Sequence, residues 1–251
     1  MRDRCDLNAD LGESFGAWRM GDDEALLAQI SSCNIACGFH AGDPLTMQRT
    51  VAAAVRLGVA IGAHPSLPDL VGFGRREMRV SAEELQALTV YQCAALDGFA
   101  RAAGARLQHV KAHGALYGML ARDRPLATAF VAAAASLDRS LAIVGPPVGA
   151  VRDAALAAGM RYLREGFADR GYLADGALVP RDRTRAQLEL ADARAQGLRL
   201  ARGESIRAVD GSVLQLDIDT LCLHGDGAEA LELARQLRAD LDRGGIAVRA
   251  P

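Results

Sequence analysis

The sequence predicts a single-domain parallel α/β barrel, and three observations lead there. Strand-like and helix-like segments alternate about seven times along 251 residues without a linker or low-complexity stretch, a rhythm that calls for parallel strands with the crossovers outside. Polar residues gather at the carboxyl ends of many strands rather than at one crossover, which favours a closed barrel over an open doubly wound sheet. Half of the residues are hydrophobic but only 4% are aromatic. The core must therefore be built from Ala, Leu and Val, in a chain long enough to bury a large one.

Taken in order, Cys5 to Asp10 reads as the first strand, with Asp6, Asn8 and Asp10 on one face and Cys5, Leu7 and Ala9 on the other. Three polar groups on one face are costly to bury without partners. Asp22 to Ser31 fits a short helix, Cys33 to Cys37 a second strand, and Asp43-Pro44 a helix start, with an N-cap and proline at the first helical position, opening Leu45 to Leu57. A capping role for Asp43 is at least as well founded as a chemical one. Val59 to Ala63 is a third strand ending at His64-Pro65, and Ser81 to Glu84 has capping-box spacing before a helix to about Ala103. Val110 to His113 is the next strand, followed by helices at Pro125 to Ser136 and Pro147 to Ala158 on either side of a strand at Leu141 to Val144. Arg161 to Glu165 is a sixth strand. Leu173 to Asp210 is irregular, with a helix at Thr184 to Gln196 and room for a surface hairpin, and Thr220 to Leu223 with Ala228 to Asp242 closes the chain.

A formal net charge of -2 gives no sign of a nucleic-acid or anionic-membrane partner. Small molecules and proteins are the expected partners. No run approaches the roughly 18 apolar residues of a membrane span, and MRDRCDLNAD lacks the apolar run of a signal peptide, so a cytoplasmic setting is expected. The cysteines (Cys5, Cys33, Cys37, Cys93, Cys222) are odd in number and without a CxxC pair, which suits reduced thiols.

Lys111 is the only lysine among 29 basic residues. Arginine serves wherever charge alone suffices, so this position calls for a compact ammonium with a tunable pKa. The period of two puts His109, Lys111 and His113 on one strand face. His40, His64, His113 and His224 each follow a different strand, and a parallel barrel brings those ends to one rim. Asp10, Glu13, Asn34, Lys111, Asp169, Arg170 and Asp226 converge on the same rim. Three chemistries could use such a cluster. Metal-assisted hydrolysis would draw on Asp10, His40 and His64, although no HxxxH or HExxH spacing is present. Metal-free acid/base hydrolysis would use Asp10 as base, with a histidine or Lys111 at the oxyanion. A Schiff-base lysine is disfavoured by the surrounding carboxylates, and a thiol at Cys37 beside His40 has no other support.

DLNADLGE (Asp6 to Glu13), CNIACGFHAGDP (Cys33 to Pro44), GAHPSLPD (Gly62 to Asp69), VKAHGALY (Val110 to Tyr117), EGFADRGY (Glu165 to Tyr172) and CLHGD (Cys222 to Asp226) together resemble the LamB/YcsF family, whose members are assigned as the A subunits of ATP-dependent 5-oxoprolinases. The resemblance runs almost end to end. It implies an irregular seven-stranded β/α (TIM-like) barrel of the glycoside hydrolase/deacetylase type. The implied reaction is opening of the 5-oxo-L-proline lactam to L-glutamate, coupled to ATP hydrolysis in a complex with subunits B and C. Asp10, Lys111, His113 and His64 are then the catalytic candidates, with Asp10 as base and Lys111 holding the oxygen or phosphate. Asn8, Glu13, Asn34, His40, Asp43, Asp169, Arg170, His224 and Asp226 are the substrate-binding candidates. Two departures stand out: Ala112 replaces a usual proline, and DRTRAQ follows Arg181 where a Pro-Gly pair is usual, leaving the form of that loop and the part of Arg181 open. Two alternatives remain, a stand-alone metal-dependent amidohydrolase of the deacetylase type and a non-catalytic subunit that only presents substrate.

Overall fold

The computed structural model describes residues 3–223 and 229–251. Seven parallel strands close on themselves: β1 (Arg4–Leu11), β2 (Ser32–Ala36), β3 (Ala60–His64), β4 (Leu107–Lys111), β5 (Ala142–Gly145), β6 (Arg161–Phe167) and β9 (Thr220–Leu223), with β9 pairing back onto β1. The predicted closed barrel is what forms. A hairpin of β7 (Ile206–Arg207) and β8 (Val213–Leu214) lies apart from the barrel, and β10 (Ala247–Val248) adds to the start of β1.

Helices cover the outside. α1 (Asp23–Leu27) and α2 (Pro44–Leu57) follow β1 and β2, and the Asp43 side chain accepts from the amides of Leu45 and Thr46 at the start of α2. α3 (Ala82–Ala102) opens with the capping box of Ser81 and Glu84 that the spacing predicts. α4 (Gly114–Arg122) and α5 (Arg124–Leu137) follow β4, α6 (Ala150–Ala157) follows β5, and α7 (Leu190–Arg202) and α8 (Ala230–Arg243) flank β9. Leu7, Ala9, Cys33, Ile35 and Val110, alternating along their strands with polar neighbours, pack against this helical layer.

The barrel interior, by contrast, has a small apolar patch of Ala142, Val144 and Leu163 on the β5–β6 side and is otherwise polar and arranged in layers. At the bottom, Asp6 accepts hydrogen bonds from Ser31, Ser32 and Thr220. In the middle, Asn8 donates to Thr220 Oγ1 at 2.7 Å, Asn34 donates to Asn8 and Asp10, and His109 Nε2 donates to Asn34 Oδ1 at 2.7 Å. The three polar groups of β1 thus find the partners that their burial demands. The His109 ring lies across Gly62, where a Cβ would sit 2.0 Å from Nε2, and the β3–β4 register shifts at this point. Burial lowers the His109 pKa to about 3, so the ring is neutral and holds its tautomer.

Candidate active site

Above this layer the Lys111 ammonium is 2% exposed. It lies 2.9 Å from Asp10 Oδ1, 2.8 Å from Glu165 Oε1, 3.1 Å from Cys222 Sγ and 3.4 Å from Asn8 Oδ1. Burial pulls a lysine pKa down, but Asp10, Cys222 and Glu165 together outweigh it and hold this one well above its ordinary value. A permanently charged amine is no Schiff-base nucleophile. Its donors are directed at groups of the barrel itself, so Lys111 orients Asp10 and Glu165 instead of reaching toward the mouth.

At the mouth, Asp10 Oδ2 is 3.3 Å from His64 Nε2. His64 ends β3, and its Nδ1 is 2.8 Å from the Lys111 carbonyl; His113 follows β4, with Nε2 2.8 Å from the Phe73 carbonyl. His40, on the turn after β2, stacks on His113 with ring centroids 3.8 Å apart and planes 9° from parallel. Glu13 Oε1 is 3.5 Å from His113 Nδ1 and 3.6 Å from His40 Nε2. Burial lowers the pKa of both His40 and His113 well below the usual histidine value, which keeps the stacked pair neutral. Glu13, His40, His64 and His113 form a buried cluster that could hold a metal ion, their ligand atoms all within 4.8 Å of one another.

The structure therefore brings together Asp10, Glu13, His40, His64, Lys111 and His113, with Asn8 and Asn34 bracing them one layer below. Other candidates have different surroundings. Asp43 caps α2 and receives the Gly16 amide at 2.8 Å, tying down the loop after β1. Arg170 gives Nε and Nη2 to the carbonyls of Ala186 and Val179 and so pins the irregular segment, while buried Asp169 accepts the Leu188 amide on its own carbonyl. His224 and Asp226 lie outside the described residues. Cys37 is a buried thiol, its pKa pushed up to about 12, which removes the thiolate that nucleophilic chemistry needs.

Sequence reasoning missed Glu165, Cys222 and Phe73. Strand parity held the first two: Cys222 shares a face with Thr220, and Glu165 with Leu163, so an acid and a thiol stood at inward positions. Phe73 carried no such signal, because its part depends on a left-handed backbone, φ 54°, in the loop after β3. Its carbonyl meets His113, and its ring stands edge-on to His40 and His113.

Fold and site together define a closed β/α barrel with its polar cluster at the carboxyl ends of the strands. The same fold occurs in a family 4 carbohydrate esterase from Streptomyces lividans, at a TM-score of 0.51 and 12% identity over 98% of this chain and 91% of that one. More narrowly, the chain belongs to the LamB/YcsF family, whose pattern matches residues 5–251. It is 54% identical to the 5-oxoprolinase A subunit of Bordetella parapertussis over the full length of both chains. With the Methylococcus capsulatus protein of the same name it shares 55% identity, over 98% of this chain and 95% of that one. A crystal structure of a lactam utilization protein from Thermus thermophilus superposes with a TM-score of 0.93, at 42% identity over 99% of this chain and 100% of that one.

Proposed function

We propose that this chain is the lactam-opening subunit of an ATP-dependent 5-oxoprolinase and acts at the Asp10 rim in a complex with subunits B and C. The observation that carries the reading is Asp10 itself, held by the Lys111 ammonium on one oxygen and 3.3 Å from His64 on the other. A carboxylate so oriented is placed to take a proton from water. The names of the relatives supply the substrate and the subunit character.

The chemistry accounts for the nucleotide. A five-membered lactam is a poor electrophile, and transfer of the γ-phosphoryl group of ATP to its oxygen makes the ring carbon attackable. Water adds there with its proton passing to Asp10, and the C–N bond breaks as the nitrogen takes a proton. The acyl phosphate so formed gives glutamate and phosphate with a second water. Lys111 fixes Asp10 throughout, and the imidazoles of His64 and His113 border the reacting carbon.

The test is glutamate formation from 5-oxoproline and ATP by the purified chain, alone and reconstituted with both partners. Turnover is expected only in the reconstituted complex, and Asp10→Asn should lower it by about 100-fold or more. Near-wild-type turnover with Asp10→Asn would remove this base from the reaction. The four-donor cluster favours one rival, a stand-alone metal-dependent amide hydrolase. Nucleotide-independent opening of the lactam by the chain alone, abolished by a chelator, would establish that rival instead.

A further inference from the structure

We propose that Glu13, His40, His64 and His113 form a binding site for one divalent transition-metal ion of the zinc class, with the imidazole tautomers preset by backbone carbonyls. The placement of protons comes first. A carbonyl oxygen only accepts, so His64 Nδ1, 2.8 Å from the Lys111 carbonyl, carries the hydrogen, and so does His113 Nε2, 2.8 Å from the Phe73 carbonyl. A neutral imidazole has one N–H. The remaining nitrogens, His64 Nε2 and His113 Nδ1, face each other at 3.1 Å, and when each ring carries a single N–H both present lone pairs. Two lone pairs at that distance in a buried site repel, and a metal cation between them removes the repulsion.

Three of the six ligand-atom pairs have the spacing such an ion needs. Tetrahedral zinc with bonds of about 2.0–2.1 Å has ligand atoms about 3.3 Å apart. Those three separations are 3.1 Å for His64 Nε2 to His113 Nδ1, 3.5 Å for His113 Nδ1 to Glu13 Oε1 and 3.6 Å for His40 Nε2 to Glu13 Oε1, with all four atoms within 4.8 Å of one another. His40 supplies an independent observation. It is 1% exposed, and neither ring nitrogen makes a hydrogen bond, a state that costs free energy unless a ligand completes it. Three imidazoles with one carboxylate suit zinc better than magnesium or calcium. Asp10 borders the donor set, its Oδ1 taking Lys111 and Asn34 and its Oδ2 lying 3.3 Å from His64 Nε2.

The loop after β3 is the outer support of this site. Asp69 accepts the Gly72 amide at 3.0 Å and the Arg76 Nε at 3.0 and 3.1 Å, and so closes a tight loop around Phe73. That loop holds Phe73 in its left-handed conformation, with the carbonyl on His113. Asp69 is thus a positioning residue for His113, acting through the Phe73 carbonyl.

The inference does not depend on the lactam reading, and its test uses neither substrate nor nucleotide. Full-length protein is stripped with a chelator and titrated with Zn²⁺ alone. Uptake of one ion per chain is expected, and Co²⁺ in its place should give the visible absorption of a tetrahedral site. His40→Ala, which breaks no hydrogen bond of the ring, should weaken Zn²⁺ binding at least ~10-fold, and Asp69→Asn should weaken it ~10–100-fold at unchanged stoichiometry. His109→Gln, altering a buried imidazole outside the cluster, should leave uptake intact, and circular dichroism establishes that each variant is folded. Uptake of no more than about a tenth of an equivalent by stripped wild-type protein, or affinity unchanged in folded His40→Ala, overturns the site. A complex that turns over 5-oxoproline without metal would leave the lactam reading standing and this inference fallen.

Discussion

Lys111 keeps its charge at 2% exposure because Asp10 and Glu165, within 2.9 Å of its nitrogen, act with Cys222 to outweigh burial. Replacing it by methionine would retain much of the volume but leave two buried carboxylates facing each other without a counter-charge. Breaking a buried ion pair in this way costs about 3–5 kcal/mol, so Lys111→Met should unfold at markedly lower urea concentration than wild type. Adding Glu165→Gln to Lys111→Met removes one of the two stranded charges and should recover part of the loss. An unchanged urea midpoint for the single variant would mean that Lys111 is not the counter-ion of this pair. Function and stability are coupled here at one atom, and any effect of this substitution on turnover has to be read beside the unfolding curve. The sequence marked the residue through its rarity. The need for two acceptors instead of one became visible only when β6 was seen to place Glu165 opposite β4.

Among the elements, the loop from β3 to α3 does the most for the site with the least regular structure. His113 donates its amide to the Pro65 carbonyl, Ala115 donates to the Gly74 carbonyl, and Gln92 of α3 holds both the amide and the carbonyl of Ser66. Gly74 sits at φ +64° where a Cβ would lie 2.4 Å from Ser66 Oγ, 2.8 Å from His40 Cβ and 2.9 Å from His113 Cδ2. Gly74→Ala must therefore move two of the clustered histidines as well as strain the backbone. A displacement of about 1 Å at a reacting centre costs on the order of 100-fold in rate, so oxoproline-dependent turnover by the reconstituted complex should fall by about that factor with circular dichroism unchanged. Wild-type turnover would show that the histidines tolerate the shift. Elements defined by local chemistry were legible beforehand: the Asp43-Pro44 start of α2 and the Ser81/Glu84 box of α3 form as the residues specify. Where a distant partner decides, legibility failed. The helix expected at Thr184 to Gln196 begins six residues later, at Leu190, because Arg170 and Asp169 hold residues 186–188 extended. α4 went unseen because Gly114, with φ +60°, reads as a chain break until its contact with the Gly74 carbonyl is known.

Closure of the whole barrel rests on a junction between strands more than 200 positions apart. Thr220 of β9 accepts from Asn8 Nδ2 and donates to Asp6, both on β1, while its backbone neighbours pair with β1 and β6 together. Such a contact is made late in chain order and carries a large loop-closure cost, and the hydroxyl serves two buried polar groups at once. Burial raises the Asp6 pKa, opposed by the hydroxyls of Ser31, Thr220 and Ser32. Removing one of these donors makes the charged form harder still to keep inside. Thr220→Val preserves shape and deletes the hydroxyl, so it leaves Asp6 short of a donor and Asn8 short of an acceptor. The cost of such unmet buried groups is about 1–3 kcal/mol each, and the variant should lose a few kcal/mol in equilibrium urea unfolding, with Thr220→Ser retaining most of the stability. If Thr220→Val unfolds at the wild-type midpoint, the polar seam is not what joins the last strand to the first, and closure falls to the backbone ladder and the helices outside. The layers above depend on the same junction, since Asn8 also accepts from Asn34, and Asn34 reaches Asp10 and His109. A seam loosened at Thr220 should therefore be felt at the Asp10 carboxylate through Asn8 and Asn34, two side chains that would not themselves have been altered.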